Sequence, residues 1–119
     1  KICSNLKFES LFVHPITGKL FAIINISFTK KDETTGIEKT YYADKIMMSD
    51  EGKQWKDISG TDNYFTDLQE IFQDPKIPNR VCISAIAIRP YVLQSIDDEY
   101  TKWNWYKAWE WTDRFKKSN

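Results

Sequence analysis

Residues 20–28 read LFAIINISF, and this stretch decides the fold class that the sequence predicts. Every even position in it is apolar, whereas the odd positions change from apolar to polar at Asn25. Successive side chains of a strand point to opposite faces, so this alternation is typical of a half-buried strand. The stretch therefore predicts a β-strand with one buried face.

The segments on either side of this strand also have the pattern of strands. Residues 6–14 precede it, and residues 15–19 between the two contain the proline and glycine of a hairpin connection. The charged segment 30–38 includes a Thr-Gly pair, which predicts a second, exposed hairpin leading into a strand over residues 39–48. Together these segments predict a three-stranded antiparallel meander.

The spacing of apolar residues changes after the meander. Thr66 and Gln69 have the spacing of a capping box, in which each side chain bonds a free amide at the start of a helix. Three apolar residues lie at the helical spacing i, i+3 and i+4, namely Leu68, Ile71 and Phe72. The segment therefore predicts one short helix that ends before Pro75.

The second half of the chain returns to strand patterns. Residues 81–88 are apolar at both odd and even positions, which indicates a central strand covered on both faces. Pro90 is expected to break this strand before residues 91–96 continue it. The four tryptophans of residues 100–111 lie at odd positions, which favours a strand, although a helix from Trp105 onward, aligning Trp111 with Phe115, is the alternative.

These elements predict a single globular domain over residues 1–119. We expect an α+β fold that is mainly an antiparallel sheet of five to six strands, curved or half-barrel, with one short helix. A chain of 119 residues is long enough to build one hydrophobic core without a metal or a set of disulfides.

Composition argues against several classes of function. Seventeen basic and 17 acidic residues give a net charge of zero, so no overall field attracts nucleic acid. The four glycines are isolated, and His14 is the single histidine, so nucleotide cofactors and a His-pair metal site are not expected. His14 itself is expected on the surface at a hairpin end. The longest charge-free stretch, residues 20–29, is too short to span a membrane as a helix.

No residue is assigned a catalytic role from the sequence. Three adjacent acids, Asp97, Asp98 and Glu99, with Asp113 downstream, leave two-carboxylate hydrolysis formally open. Three acids in a row between strands are more typical of a solvated turn, so an enzyme is the least favoured interpretation.

One short motif resembles a known structural element. Residues 48–55 read MSDEGKQW and resemble the Asp-box of bacterial neuraminidase repeats at Asp50, Gly52 and Trp55, while departing from its pattern at Met48 and Gln54. The resemblance implies a hairpin turn in which the aspartate holds backbone amides and the tryptophan packs beneath. Sialidase activity does not carry over, because a propeller needs several four-stranded blades and this chain cannot supply them.

The two cysteines and the start of the chain bear on location. Cys3 and Cys82 can form at most one bridge, and the alternative is an unpaired Cys82 buried in a strand. The sequence begins at Lys1 rather than Met, which fits either a processed mature protein whose export signal has been removed or an excised domain. We therefore expect a secreted or extracytoplasmic location.

The Trp-rich end is the main candidate for ligand binding. On a strand, four tryptophans would share one face, and Tyr106 would lie on the other; the four are Trp103, Trp105, Trp109 and Trp111. Such a face either forms a stacking platform for sugar rings or unstacked bases, or covers the core. Lys107 interrupts the row, which favours partial exposure of the tryptophans.

Three functions follow from these observations. The first is a non-enzymatic interaction module that binds another protein through a face or an edge of its sheet. The second is a carbohydrate-binding module that uses the tryptophans as a platform, and the third is a small hydrolase that uses acidic residues.

Overall fold

The computed structural model describes residues 8–60, 65, 67–86, 89–97 and 99–116 of the chain. Within these residues the protein consists of eight strands and one short helix. In chain order they are β1 (Phe8–Val13), β2 (Leu20–Lys31), β3 (Glu38–Ser49), β4 (Lys56–Asp57), β5 (Leu68–Gln73), β6 (Val81–Ile86), β7 (Pro90–Ser95), β8 (Trp103–Lys107) and α1 (Ala108–Lys116).

The strands form two antiparallel sheets of four, in the orders β1-β2-β3-β4 and β5-β6-β7-β8. Consecutive strands are neighbours, so each sheet is a meander. The prediction of one sheet of five to six strands, curved or half-barrel, was wrong, although a mainly antiparallel α+β fold describes the protein broadly. Residue patterns indicate which faces of a strand are apolar, but they do not indicate which strands share a sheet.

The two sheets pack face to face around the main core. The first sheet contributes Phe21, Ile23 and Ile46, all fully buried. The second sheet contributes Leu68, Ile71, Val81, Ile83, Ala85 and Leu93. Burying a side chain such as Phe21 contributes about 1.5–3 kcal/mol relative to leaving it exposed, so this shared interior holds the sheets together.

The buried carboxylate of Asp44 ties the second sheet to the first. Its oxygens accept hydrogen bonds from the Leu68 backbone N–H and from the Asn25 side chain, both at 2.9 Å. The Asp44 backbone N–H donates to the Phe65 carbonyl at 2.8 Å. Because a buried charge is costly unless it is hydrogen-bonded, these contacts fix where β5 begins.

The helix predicted between the meander and Pro75 was wrong, since this segment is strand β5. A bulge between Leu68 and Glu70 shifts the register against β6. The shift places Leu68 and Ile71, three residues apart, on the same inward face. The bulge thereby gives a strand the apolar spacing of a helix. Thr66, the predicted cap, lies outside the described residues.

The helix of the structure is instead at the end of the chain. The predicted strand over the Trp-rich segment is confirmed for β8, and α1 follows at once. Lys107 donates its backbone N–H to the Glu110 carboxylate at 2.9 Å, which is one half of a capping box. A lysine is an unusual residue at the cap position, so the residue types around Lys107 do not indicate clearly where this helix starts.

The predicted hairpins of the first meander and the central position of β6 are confirmed. The expectation that one strand continues beyond Pro90 was wrong, because the chain reverses there and β7 pairs back onto β6. Pro90 is the first residue of β7, a position at which the missing N–H is tolerated.

Strands β2 and β3 are 12 residues each and extend beyond the rest of the sandwich. We call residues 27–42, which form the far end of this hairpin, the arm. Most side chains of the arm are exposed, and Phe28 alone is half-buried. The protein is correspondingly elongated, with extents of 57 × 34 × 20 Å.

Candidate interaction surface

The side of the first sheet that faces away from the second sheet carries many apolar residues, and we call it the outer face. Phe21 and Ile23 of β2 point into the main core. Their neighbours Ala22 and Ile24 therefore point to the outer face, as the alternation of a strand requires. The even positions that defined β2 in the sequence thus belong to the outer face rather than to the main core.

The middle of the outer face is covered by Trp55. Ala22, Ile24 and Met47 form a small buried cluster, and the Trp55 side chain packs against it. The ring of Phe8 lies against Trp55, with 5.1 Å between the ring centroids. This cover is local, and exposed apolar side chains lie at both ends of the outer face.

One open end lies on the edge strand β1. Leu11 and Val13 are 59% and 57% exposed. In the register of the sheet they are opposite Ala22 and Leu20, so both side chains belong to the outer face. We call this pair the β1 patch.

The other open end lies on the arm. Phe28 and Tyr41 are opposite each other in the register, and their rings are stacked, with centroids 5.7 Å apart and planes at 24°. Tyr41 is 44% exposed. The apolar outer face therefore continues onto a ribbon that projects from the sandwich.

The β1 patch, Phe28 and Tyr41 are not among the site residues predicted from the sequence. The sequence does contain a pattern that marks this part of β2, because Ile26 and Phe28 are apolar whereas the residues next to them are polar. By itself, that pattern predicts a buried face of the strand. It is the observed register, with the main core on the other side, that assigns it to the outer face.

The Asp-box-like turn has local contacts that differ from those the resemblance implies. The Gly52 N–H donates to the Ser49 hydroxyl at 2.7 Å, and Gly52 has a φ of +84°, which favours glycine. The Asp50 side chain is 77% exposed and pairs with Lys19 at 2.7 Å. Trp55 covers the outer face as described above. A cleft of about 510 Å³ borders this turn, and its lining combines Met48 and Trp55 with charged and polar residues.

The tryptophans of β8 lie on the side of the second sheet that faces the core. Trp103 packs against the main core and donates its indole N–H to the Ile58 carbonyl at 2.7 Å. Trp105 is 47% exposed at the margin, where its ring contacts Phe65 and Tyr91 at centroid distances of 5.4 and 5.6 Å.

The tryptophans of α1 have opposite environments. Trp111 is buried against Phe72 and Tyr106 on the far side of the second sheet, and the Arg114 guanidinium lies 4.5 Å from its ring centroid. Trp109 is 60% exposed. The structure therefore does not bring the four tryptophans onto one face.

Cys82 is a free thiol in the structure, so the predicted bridge is not formed. Cys3 lies outside the described residues. Burial, together with the charge and hydrogen bond of Asp74, raises the pKa of the Cys82 thiol. The Asp74 carboxylate is also buried and accepts a 2.6 Å hydrogen bond from Gln94. Cys82 is thus a buried, inert residue of β6.

The acidic turn uses Asp97 to stabilise the backbone. Its carboxylate accepts hydrogen bonds from the Thr101 hydroxyl and backbone N–H, at 2.8 and 2.9 Å, and from the Lys102 N–H at 3.2 Å. Burial opposes ionisation of Asp97, but these hydrogen bonds outweigh it and lower the pKa of the carboxyl. A general acid needs a raised pKa, so this geometry favours a structural role. Asp98 lies outside the described residues.

His14 is fully buried rather than on the surface. Its Nδ1 accepts the backbone N–H groups of Ile16 and Thr17 at 3.1 and 3.3 Å, so the imidazole caps the β1–β2 turn. The rings of Phe12 and Phe21 flank it. Among the described residues, no group of three or more His, Cys, Asp or Glu side chains is arranged to hold a metal ion.

The comparisons with known proteins do not assign a family. No family model matches the chain, and no curated protein or solved structure is significantly similar to it. Within the described part of the chain, α1 is too short to cross a membrane.

Proposed function

We propose that this protein is a non-enzymatic interaction module that binds another protein through the outer face of its first sheet. One observation carries the proposal. The outer face carries apolar side chains from β1 to the arm, with Lys45 among them, and exposed apolar side chains lie at its two ends, namely the β1 patch at one end and Tyr41 at the other.

An antiparallel sheet with one solvated face normally has polar side chains on that face. Here Leu11 and Val13 add little to the main core, because their register places them on the opposite side of the sheet. A contiguous apolar area at the surface of a folded protein is characteristic of a protein-binding site. The wide, flat shape of a sheet face suits a protein partner better than a small ligand, which prefers a concave pocket.

The test removes the β1 patch without changing the core. Leu11→Ser with Val13→Ser should leave the unfolding midpoint almost unchanged and abolish capture of the partner from an extract of the cells that make this protein. The matched control is Ile77→Ser with Ile86→Ser, which changes two exposed apolar residues outside the first sheet. If the variant without the β1 patch still captures the partner, or if the control variant loses capture equally, the partner does not bind through the outer face.

A second candidate function rests on the exposure of Trp105 and Trp109. Exposed indole rings stack on the apolar faces of sugar rings, so carbohydrate binding is the alternative proposal. A glycan array tests it with Trp105→Ala, which should abolish any signal that depends on this ring. Export also stays a proposal, and the free Cys82 thiol removes one of the observations on which it was based.

A further inference from the structure

The β1–β2 turn and the β2–β3 turn have the same hydrogen bonds but are built around different residues. In the β2–β3 turn, one carboxylate oxygen of Asp32 accepts the backbone N–H groups two and three residues later, at 2.8 and 3.3 Å. In the β1–β2 turn, Nδ1 of His14 accepts the N–H groups at the same two positions, at 3.1 and 3.3 Å. The backbone bonds that close the two turns also correspond. His14 therefore takes the place that Asp32 has in the other turn.

The residues at this shared position differ in burial and in chemistry. Asp32 is exposed, whereas His14 is fully buried. A short oxygen-bearing side chain is sufficient to hold such a turn, so the turn itself does not require an imidazole. Histidine differs from aspartate in that its charge changes between pH 5 and 8. Placing histidine at the buried turn makes that turn responsive to mild acid.

The hydrogen bonds of His14 require a neutral imidazole. Because Nδ1 accepts two N–H groups, the ring proton is on Nε2. Nε2 is buried and, within the described residues, has no hydrogen-bond acceptor. A second proton would make Nδ1 a donor and place a cation between the rings of Phe12 and Phe21. An unpaired buried charge is very costly, so a protonated ring leaves the interior and two backbone N–H groups lose their acceptor.

Among the described residues, no carboxylate forms an ion pair with His14. Lys19, across the turn, pairs with Asp50 at 2.7 Å. From the loop between β7 and β8, Tyr100 packs against the β2 phenylalanine that flanks the imidazole, and its hydroxyl donates to a backbone carbonyl at 2.7 Å. The Asp97 carboxylate of that loop accepts hydrogen bonds within the loop. These groups do not supply a counter-ion for a protonated imidazole.

His14 anchors β1, which is an edge strand of the first sheet. From Phe8 to Leu20 it is the one buried residue, while Phe12 is half-buried and Glu9 is exposed. Strand β2, in contrast, is paired with β3 along its whole length and contributes its own side chains to the main core. Loss of the anchor therefore releases β1 while the rest of the sandwich stays folded.

We propose that His14 is an acid-sensitive latch, which holds β1 in place when the imidazole is neutral and releases the strand when it takes up a proton. Leu11 and Val13, which form the β1 patch, belong to the released strand. Mild acid thus removes this part of the binding surface, and the bound protein dissociates. The consequence for binding rests on the proposed function, whereas the latch itself does not.

Amide hydrogen exchange followed by NMR tests the latch in the unchanged protein without a partner. The amides to follow are those of His14, Ile16, Thr17 and Gly18, and the corresponding amides of the β2–β3 turn are the internal control. Each rate is compared with the intrinsic exchange rate at the same pH. The ratio gives the equilibrium constant for opening each turn.

We expect the opening constant of the β1–β2 turn to rise about 30-fold between pH 7.5 and pH 5.0, because the open state binds one more proton than the closed state and an accessible histidine takes it up below about pH 6.5. The opening constant of the β2–β3 turn should change by less than about threefold, because an aspartate takes up a proton only near pH 4.

Two variants assign the response to the imidazole. His14→Asn keeps an acceptor oxygen at the place of Nδ1 but does not take up a proton in this pH range, so its β1–β2 turn should not respond to acid. Asp32→Asn is the matched control, and its β1–β2 turn should keep the 30-fold response. A partner captured at pH 7.5 should elute from the unchanged protein at pH 5.0 and stay bound to His14→Asn.

An increase below about threefold at the β1–β2 turn of the unchanged protein would overturn the inference, even if His14→Asn does not fold. Equal increases at both turns would overturn it, since a general loss of stability would then explain the response. An acid response that persists in folded His14→Asn would overturn it as well. If nothing is captured at pH 7.5 while the turn responds as expected, the proposed function fails and the latch is supported.

Discussion

Trp111→Ala should destabilise the protein strongly, whereas Trp109→Ala should not. The Trp111 ring is buried in an edge-on contact with Phe72 and beneath the Arg114 guanidinium. Truncation of a buried aromatic side chain costs about 3–5 kcal/mol, and the short helix can move only partly to fill the space, so we expect about 3–4 kcal/mol. Trp109 is largely exposed, and its replacement should change the free energy of unfolding by less than about 1 kcal/mol.

The two variants are matched, because they make the same chemical change two residues apart on α1. In a helix, residues i and i+2 point to nearly opposite sides, whereas in a strand they share a face. Urea unfolding followed by far-UV circular dichroism measures both free energies and does not rely on tryptophan emission. Similar losses of stability in the two variants would refute the helix and restore the extended Trp-rich strand.

Three further outcomes test the local contacts. Asp97→Asn should lower the stability of the protein at neutral pH and make that stability less dependent on acid pH. A carboxylate whose pKa is lowered by folding stabilises the fold above its unfolded pKa of about 3.9, and this stabilisation is lost as the pH falls through the pKa of the folded state. Thermal unfolding at several pH values measures this. Ser49→Ala should lower the free energy of unfolding by about 1 kcal/mol, because the Gly52 amide loses its hydrogen bond to the Ser49 hydroxyl. Asp50→Ala should lower it by less than about 1 kcal/mol, because the ion pair of Asp50 with Lys19 is exposed. Urea unfolding midpoints compare the two variants. The Cys82 thiol should react with an aromatic disulfide reagent only when urea unfolds the protein, because it is buried and its pKa is raised.

The sequence was sufficient where a pattern depends on neighbouring residues alone. Alternation over β2 and the turn residues of two hairpins predicted the first meander correctly. The apolar run of β6 predicted a central strand for the same reason, since both of its faces are covered.

Prediction failed where tertiary context changed the meaning of a local pattern. The bulge after Leu68 gave a strand the spacing of a helix, and the Trp-rich segment changed from strand to helix at Ala108 with a lysine at the cap. His14 was expected at the surface because it ends a strand next to proline, but the side chain turns inward to cap the turn.

The candidate surface was the least accessible to sequence analysis. An apolar alternation looks the same whether the apolar face packs on a second sheet or lies open to solvent. Only the observed burial of Phe21 and Ile23 in the main core shows that the Phe28 side of β2 is the outer face.

Site-specific photocrosslinking shows directly whether a protein binds the outer face. A benzophenone side chain is placed at Leu11, at Tyr41 or at Trp105, and each protein is irradiated in an extract of the cells that make it. We expect that the probes at Leu11 and Tyr41 give an adduct to the same protein and that the probe at Trp105 gives none. An adduct from Trp105 alone, or no protein adduct from either position on the outer face, would contradict it.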